Sequence, residues 1–141
     1  MSVQFQGLDK LLDDLEGLAD ADKFERALGR ACALVERDAK LKAPKGNGEL
    51  RRSIESKVEH DGEDIQGVVF TTLEYAPYVE YGTGLFAEDG NGRKDVPWRY
   101  QDDKGKWHTT SGRHPKPFMR PALDENREQI LRILKEGLLN D

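Results

Sequence analysis

Three histidines and two adjacent aspartates carry the most obvious chemistry in this chain: His60, His108 and His114, with Asp102 and Asp103. Imidazole and carboxylate together hold divalent metals or exchange protons near neutral pH. The spacing argues against such a site. A metal-binding helix sets its histidines about four positions apart, whereas His114 follows His108 by six and His60 falls in a turn-forming run. Ser53 and Ser111 lack a Gly-x-Ser-x-Gly context. Cys32 sits four positions after Leu28, beside an apolar helix face, where a small buried side chain is expected. Gly82-Thr83-Gly84 has two glycines of a phosphate loop without the Lys-Ser or Lys-Thr that completes one. No catalytic residue, metal ligand or cofactor is expected, and the chain reads as a non-enzyme.

Aromatic and basic residues form the second constellation. Arg93, Lys94, Arg99, Lys104, Lys106, Arg113, Lys116 and Arg120 surround Trp98, Tyr100 and Trp107. Cations beside ring platforms suit a phosphate backbone, so nucleic-acid binding is an alternative function. Asp95, Asp102 and Asp103 dilute the charge, and this partner is not favoured. Tyr, Trp, Phe, Met and Arg are also the types enriched at the centres of protein interfaces. The chain gathers them as Tyr78, Tyr81, Trp98, Tyr100, Trp107, Phe118, Met119 and Arg120, which are its candidate interface residues. For Tyr78 and Phe118, with Tyr75, completing the core of the domain is the open alternative. The densest stretch is Tyr75 to Gly84, YAPYVEYGTG, which reads as a structural corner beside a contact surface.

Helical and strand periodicities must position these residues. Phe24, Ala27, Leu28, Ala31, Leu34, Val35 and Ala39 recur at three-and-four spacing and predict a helix from Lys23 to Ala43, capped by Asp22 and stopped by Pro44, Gly46 and Gly48. Leu8, Leu11, Leu12, Leu15 and Leu18 predict a helical arm within residues 1–22. Ile54, Ser56 and Val58 then alternate with charged neighbours, and HDGED leads into IQGVVF, which together predict a β-hairpin. Pro77 suits the first turn of a short helix ended by Gly82. AEDGNGRKD reads as a loop. VPWRYQDDKGKWHTT predicts a second hairpin. A four-residue connection, Asp102 to Gly105, sets Gln101 against Lys106, Tyr100 against Trp107 and Trp98 against Thr109. Leu123, Ile130, Leu131, Leu134 and Leu138 predict a closing helix. The expected fold is α+β in one domain, 1–141: a small antiparallel sheet of hairpins against a long N-terminal and a C-terminal helix, with loop and hairpin 86–114 projecting.

A length of 141 residues suits one modest core. Charged residues make up 35% and hydrophobic residues 36%, with a net charge of -5 and both signs interspersed, so no single-sign field is available to steer a polyanion. No run approaches the ~20 apolar residues of a membrane span, and no membrane partner is expected. MSVQFQGLDK has neither the basic start nor the apolar centre of a signal peptide, which points to a protein made and used inside a cell. One cysteine excludes an intrachain disulfide and a cysteine-cluster zinc site.

In order along the chain, GELRRSI after a helix, YAPYVEYGTG in the middle and HPKPFMRPAL before a closing helix resemble the tailed-phage neck and tail-component family typified by gene product ten of phage Hong Kong 97. Similarity of pattern runs from about Phe24 to Leu138. The resemblance implies a structural virion protein acting at the head-tail junction, in neck or tail completion, by assembly into a ring of six or twelve copies. Its partners would be further copies of itself and other connector, neck and tail proteins of the phage or prophage, and it would reside in the host cytoplasm before joining the virion. The Glu80–Thr83 and Pro117–Pro121 segments match the two signature positions. Their implied role is to fix the turn and the last helix, bordering the subunit interface.

Overall fold

The computed structural model describes residues 1–4, 21–46, 48–61, 64–90 and 92–139. Their contacts gather in two compact units, Met1–Thr72 with Phe118–Asp141, and Leu73–Pro117. Helices and small antiparallel sheets make the fold α+β. The leucines at positions 8 to 18 of the expected helical arm lie outside the described residues.

The first unit is organised by helix α1, Ala21–Lys42. Its buried residues Phe24, Ala27, Leu28, Ala31, Val35 and Ala39 fall on one stripe, as the spacing predicts. Asp22 lies inside the first turn and does not precede it; a carboxylate there still complements the positive end of the helix dipole. At the other end the Arg51 guanidinium donates from Nε and an Nη to the carbonyl of Ala43, at 3.2 and 3.1 Å. Carbonyls at a helix C-terminus have no partners within the helix, and a cation satisfies them while complementing the dipole. Arg51 belongs to α2, Glu49–Ser53, a single turn that the sequence pattern does not announce.

Strands β1, Ser2–Gln4, β2, Glu55–Asp61, and β3, Asp64–Phe70, form one antiparallel sheet in the order β1-β3-β2. The β2–β3 pairing runs from Glu55 opposite Phe70 to Asp61 opposite Asp64, in agreement with the expected hairpin. On the central strand, Val68 and Val69 point to opposite faces of the pleat, and both are buried. Ser2–Gln4 fall inside the segment expected to be a helical arm, yet they pair with Phe70, Val69 and Val68. Three residues are too few for a period to register.

α1 packs against β2 and β3 and also against the closing helices. The single closing helix expected from the leucine pattern is two, α4, Met119–Asp124, and α5, Arg127–Leu139. Asn126 marks the break. Its side-chain amide donates to the Ala122 carbonyl at 2.7 Å, diverting a group that a continuous helix would bond within its own ladder. The same amide donates to Asp38 on α1 at 2.8 Å, and Lys42 pairs with Asp38 and Glu125 at 3.1 and 2.8 Å. These bonds raise the Lys42 pKa, the Glu125 carboxylate first and Asp38 second. Phe24, Leu28, Ile54, Phe118, Met119, Ile130 and Leu134 are among the fully buried side chains, each stabilising by about 1.5–3 kcal/mol through burial. Cys32 is buried with them. Desolvation pushes its thiol pKa up to about 12 against the opposing Val68 backbone hydrogen bond, so it is a packing residue without thiolate character.

The second unit holds α3, Ala76–Tyr81, and two short ladders. β4, Thr83–Gly84, pairs with β7, Gly112–Arg113, and β5, Trp98–Gln101, pairs with β6, Trp107–Thr110. Pro77 occupies the first turn of α3, where its missing N–H costs nothing, and Gly82 follows the last helical residue. After β7 the chain returns along α3, with the Lys116 N–H donating to the Val79 carbonyl at 2.8 Å.

Candidate interaction surface

The eight candidate interface residues divide by burial. Tyr78 and Trp107 are 60% and 55% exposed, Tyr81 and Tyr100 are exposed, and Trp98 and Arg120 are half-buried. Phe118 and Met119 are fully buried in the first unit, so their side chains are closed to a partner. They are core residues at the start of α4, which packs on α1 and β1. Residue type alone does not separate the two groups, because the same large apolar side chains serve cores and interface centres.

The β5–β6 register also differs from the sequence expectation. Gln101 faces Trp107, Tyr100 faces His108, Arg99 faces Thr109 and Trp98 faces Thr110. Tyr100 and Trp107 therefore lie on opposite faces of the hairpin. The reason is Gly105, at φ +80°, whose left-handed conformation adds a bulge residue after the turn. Asp102 N–H donates to the Lys106 carbonyl at 2.9 Å, and Asp102 Oδ1 accepts from the Lys104 and Lys106 N–H groups, both at 2.9 Å. The slip puts Arg99 on the same face as Trp107. Arg99 lies over the Trp107 ring at 4.9 Å and Arg93 over Trp98 at 5.0 Å, contacts worth about 0.5–1 kcal/mol each at exposed sites.

The remaining aromatics line a groove within the second unit. Tyr78 and Tyr81 on α3, Trp98 on β5 and Arg93 line a cavity of about 530 Å³ together with Pro77, Gly82, Gly84 and Asp89. That volume lies within the range of ligand-accepting clefts. The β4–β7 ladder fixes the lining residue Gly84, which has φ +61°; a Cβ there would overlap the Ser111 carbonyl oxygen and lie 2.7 Å from Gly112 Cα. Glycine permits both the angle and the approach. Of the YAPYVEYGTG stretch, Tyr78, Tyr81 and the glycines thus form the groove, while Ala76, Val79 and Glu80 are buried.

The residues that suggested a catalytic cluster are placed apart in their roles. His60 Nε2 lies 3.4 Å from Glu25 in the first unit, and in the second His114 packs tilted against Phe86 with ring centroids 3.9 Å apart. His108 Nε2 lies 2.7 Å from Asp102 Oδ2, with Tyr100 stacked on its ring. Among the described residues no group of three or more His, Cys, Asp or Glu side chains is placed to hold a metal ion. The Ser53 hydroxyl donates to the Leu50 carbonyl at 2.6 Å and lies 2.7 Å from Thr71 Oγ1, a packing role at the end of α2.

Asp102 is the organising group of the hairpin tip. The His108 hydrogen bond first, then the Lys106 and Lys104 N–H bonds, hold its carboxyl below the usual aspartate range. A carboxylate with a depressed folded pKa stabilises the native state above its unfolded pKa of about 3.9, and that contribution disappears as pH falls through the lower folded value. Acid titration of the Asp102 carboxyl by NMR is therefore expected to give a midpoint below about 3.9, with the Lys104 and Lys106 amide protons moving in step. A midpoint at or above that value contradicts the capping role.

Charge bears on the nucleic-acid alternative. Residues 93–120 are positive, but Leu73–Pro117 as a whole carries seven Lys and Arg against seven Asp and Glu. A balanced unit supplies little of the counterion-release affinity on which backbone binding depends.

The family model described as "Bacteriophage HK97-gp10, putative tail-component" matches residues 7–82, more than half of the chain. The match takes in α1, the β2–β3 hairpin and α3, and leaves the β5–β6 hairpin and the closing helices beyond it. No curated protein and no solved structure matches the chain. No helix among the described residues is long and apolar enough to cross a membrane.

Proposed function

The chain belongs to the HK97-gp10-like family of bacteriophage tail components, and from that membership we propose that it is a non-enzymatic structural subunit acting at the head-tail junction. In this reading it completes the neck or tail by closing into a ring of six or twelve copies that meets neighbouring connector and tail proteins. It waits in the host cytoplasm and becomes part of the virion on assembly. The observation that carries the reading is the concentration of solvent-facing Tyr78, Tyr81, Tyr100 and Trp107 in one unit of balanced charge. Large exposed aromatics are the residue types enriched at interface centres. A ring requires a heterologous interface, in which one patch meets a different patch of the next copy.

Trp107→Ala tests this. The side chain is more than half exposed, so the variant is expected to fold and melt within a few degrees of the parent. An interface anchor contributes at least about 2 kcal/mol, which is roughly 30-fold in association. Native mass measurement, alone and with the tail or connector fraction, is expected to show a six- or twelve-fold mass for the parent and a monomer for the variant at the same concentration. A parent that stays monomeric in both settings refutes the ring, and a ring unaffected by the substitution removes Trp107 from its interface.

A further inference from the structure

Two surfaces of the second unit complement each other. The first is the aromatic groove, lined by exposed Tyr78 and Tyr81 on α3, half-buried Trp98, and the exposed Asp89 and Arg93. Glu88, also exposed, lies beside Asp89 and Tyr81. The second is the segment that follows β7, Pro115-Lys116-Pro117, in which Lys116 and Pro117 are exposed, with Arg113 exposed just before it.

Backbone hydrogen bonding distinguishes this segment from an ordinary loop. Pro115 and Pro117 have no N–H, and the one N–H between them is already given to the Val79 carbonyl at 2.8 Å. Burying an unsatisfied backbone donor against an apolar wall costs free energy, and this strap presents none. The same bond and the two fixed proline φ angles hold the strap in place beforehand, so little conformational entropy remains to be lost on docking. Proline-bearing segments dock in aromatic-lined grooves for these reasons. Charge adds direction. Arg113 and Lys116 are exposed cations that complement the exposed acidic residues Asp89 and Glu88, while among the described residues Arg93 is the one cation lining the groove itself.

We propose that the groove between Tyr78, Tyr81 and Trp98 receives the Pro115-Lys116-Pro117 strap of a second copy of this chain, with Pro117 against the aromatic rings and Lys116 facing Asp89. The inference rests on the ring reading and names one contact of its interface, separate from the one that Trp107 makes. Groove and strap are different patches of one unit, so the contact is heterologous and repeats from copy to copy.

A charge exchange tests it. Asp89→Lys and Lys116→Glu each place like charges together across the contact, and each is expected to raise the concentration needed for assembly at least tenfold. Both positions are exposed, and thermal melts of each variant separate a loss of fold from a loss of assembly. The double variant re-forms the pair with its signs reversed and is expected to assemble within about threefold of the parent. Zero-length carbodiimide coupling in an assembled mixture of ordinary and nitrogen-15-labelled subunits should yield a mixed-isotope Lys116–Asp89 link. If the parent forms a ring while both single variants assemble unchanged, or if Lys116 couples to another acidic residue of the second copy, the groove assignment fails and the ring stands. If the double variant stays as defective as either single one, the pairing fails in the same way. A parent that is monomeric both alone and with tail components removes the ring reading and this contact with it.

Discussion

Phe118→Ala is expected to destabilise the subunit by about 3–5 kcal/mol, because truncating a fully buried phenylalanine removes its transfer free energy and leaves a cavity that neighbouring side chains fill only in part. Phe118 immediately precedes α4, and Met119 beside it is equally buried, so the hole opens where α4 meets α1 and β1. Domains of this size are stable by only about 5–15 kcal/mol, so the loss is a large share of the total. Urea unfolding measures it directly: the midpoint should fall with little change in the slope. A loss below about 1 kcal/mol would place the ring at a surface and return Phe118 to the interface residues. Trp107→Ala is the contrasting substitution, with assembly lost and the fold kept.

Gly84→Val should break the second unit locally. Its backbone sits at φ +61°, where a β-branched side chain is strained by about 1–3 kcal/mol before any contact is considered. The added Cβ also overlaps the Ser111 carbonyl oxygen, and a backbone atom has no rotamer by which to withdraw. The ladder pairing Thr83 with Arg113 and Gly84 with Gly112 must open, and with it the bond from the Leu85 N–H to the Ser111 carbonyl. Hydrogen exchange is expected to accelerate at Leu85 and in β7 while the amides of α1 stay protected, since α1 belongs to the other compact unit. Because Gly82 and Gly84 line the groove, assembly should fail as well. Parent-like exchange at Leu85 would show that the ladder tolerates the side chain.

Much of this architecture is written locally. The stripe from Phe24 to Ala39 specifies α1 because a helix returns a side chain to the same face every three or four residues, and nothing distant is needed to read it. The β2–β3 hairpin is legible for a related reason: alternation and a short connection are both local. Pro77 and Gly82 bound α3 through the backbone angles they permit. The short elements were not legible. β1 becomes a strand only because β3 offers it a partner edge, and α2 is recognisable through Arg51 reaching the Ala43 carbonyl.

For the candidate surface, the sequence by itself determined which residues are large, aromatic and charged, and it gathered them between Tyr75 and Arg120. Tertiary structure decided which of them face solvent. Phe118 and Met119 went to the core while Tyr78 and Trp107 stayed exposed, and a single bulge residue, Gly105, moved Trp107 across the hairpin from Tyr100. The division has one physical cause. Backbone geometry and side-chain period act between residues a few positions apart, whereas burial is fixed by surfaces that meet only after the chain has folded.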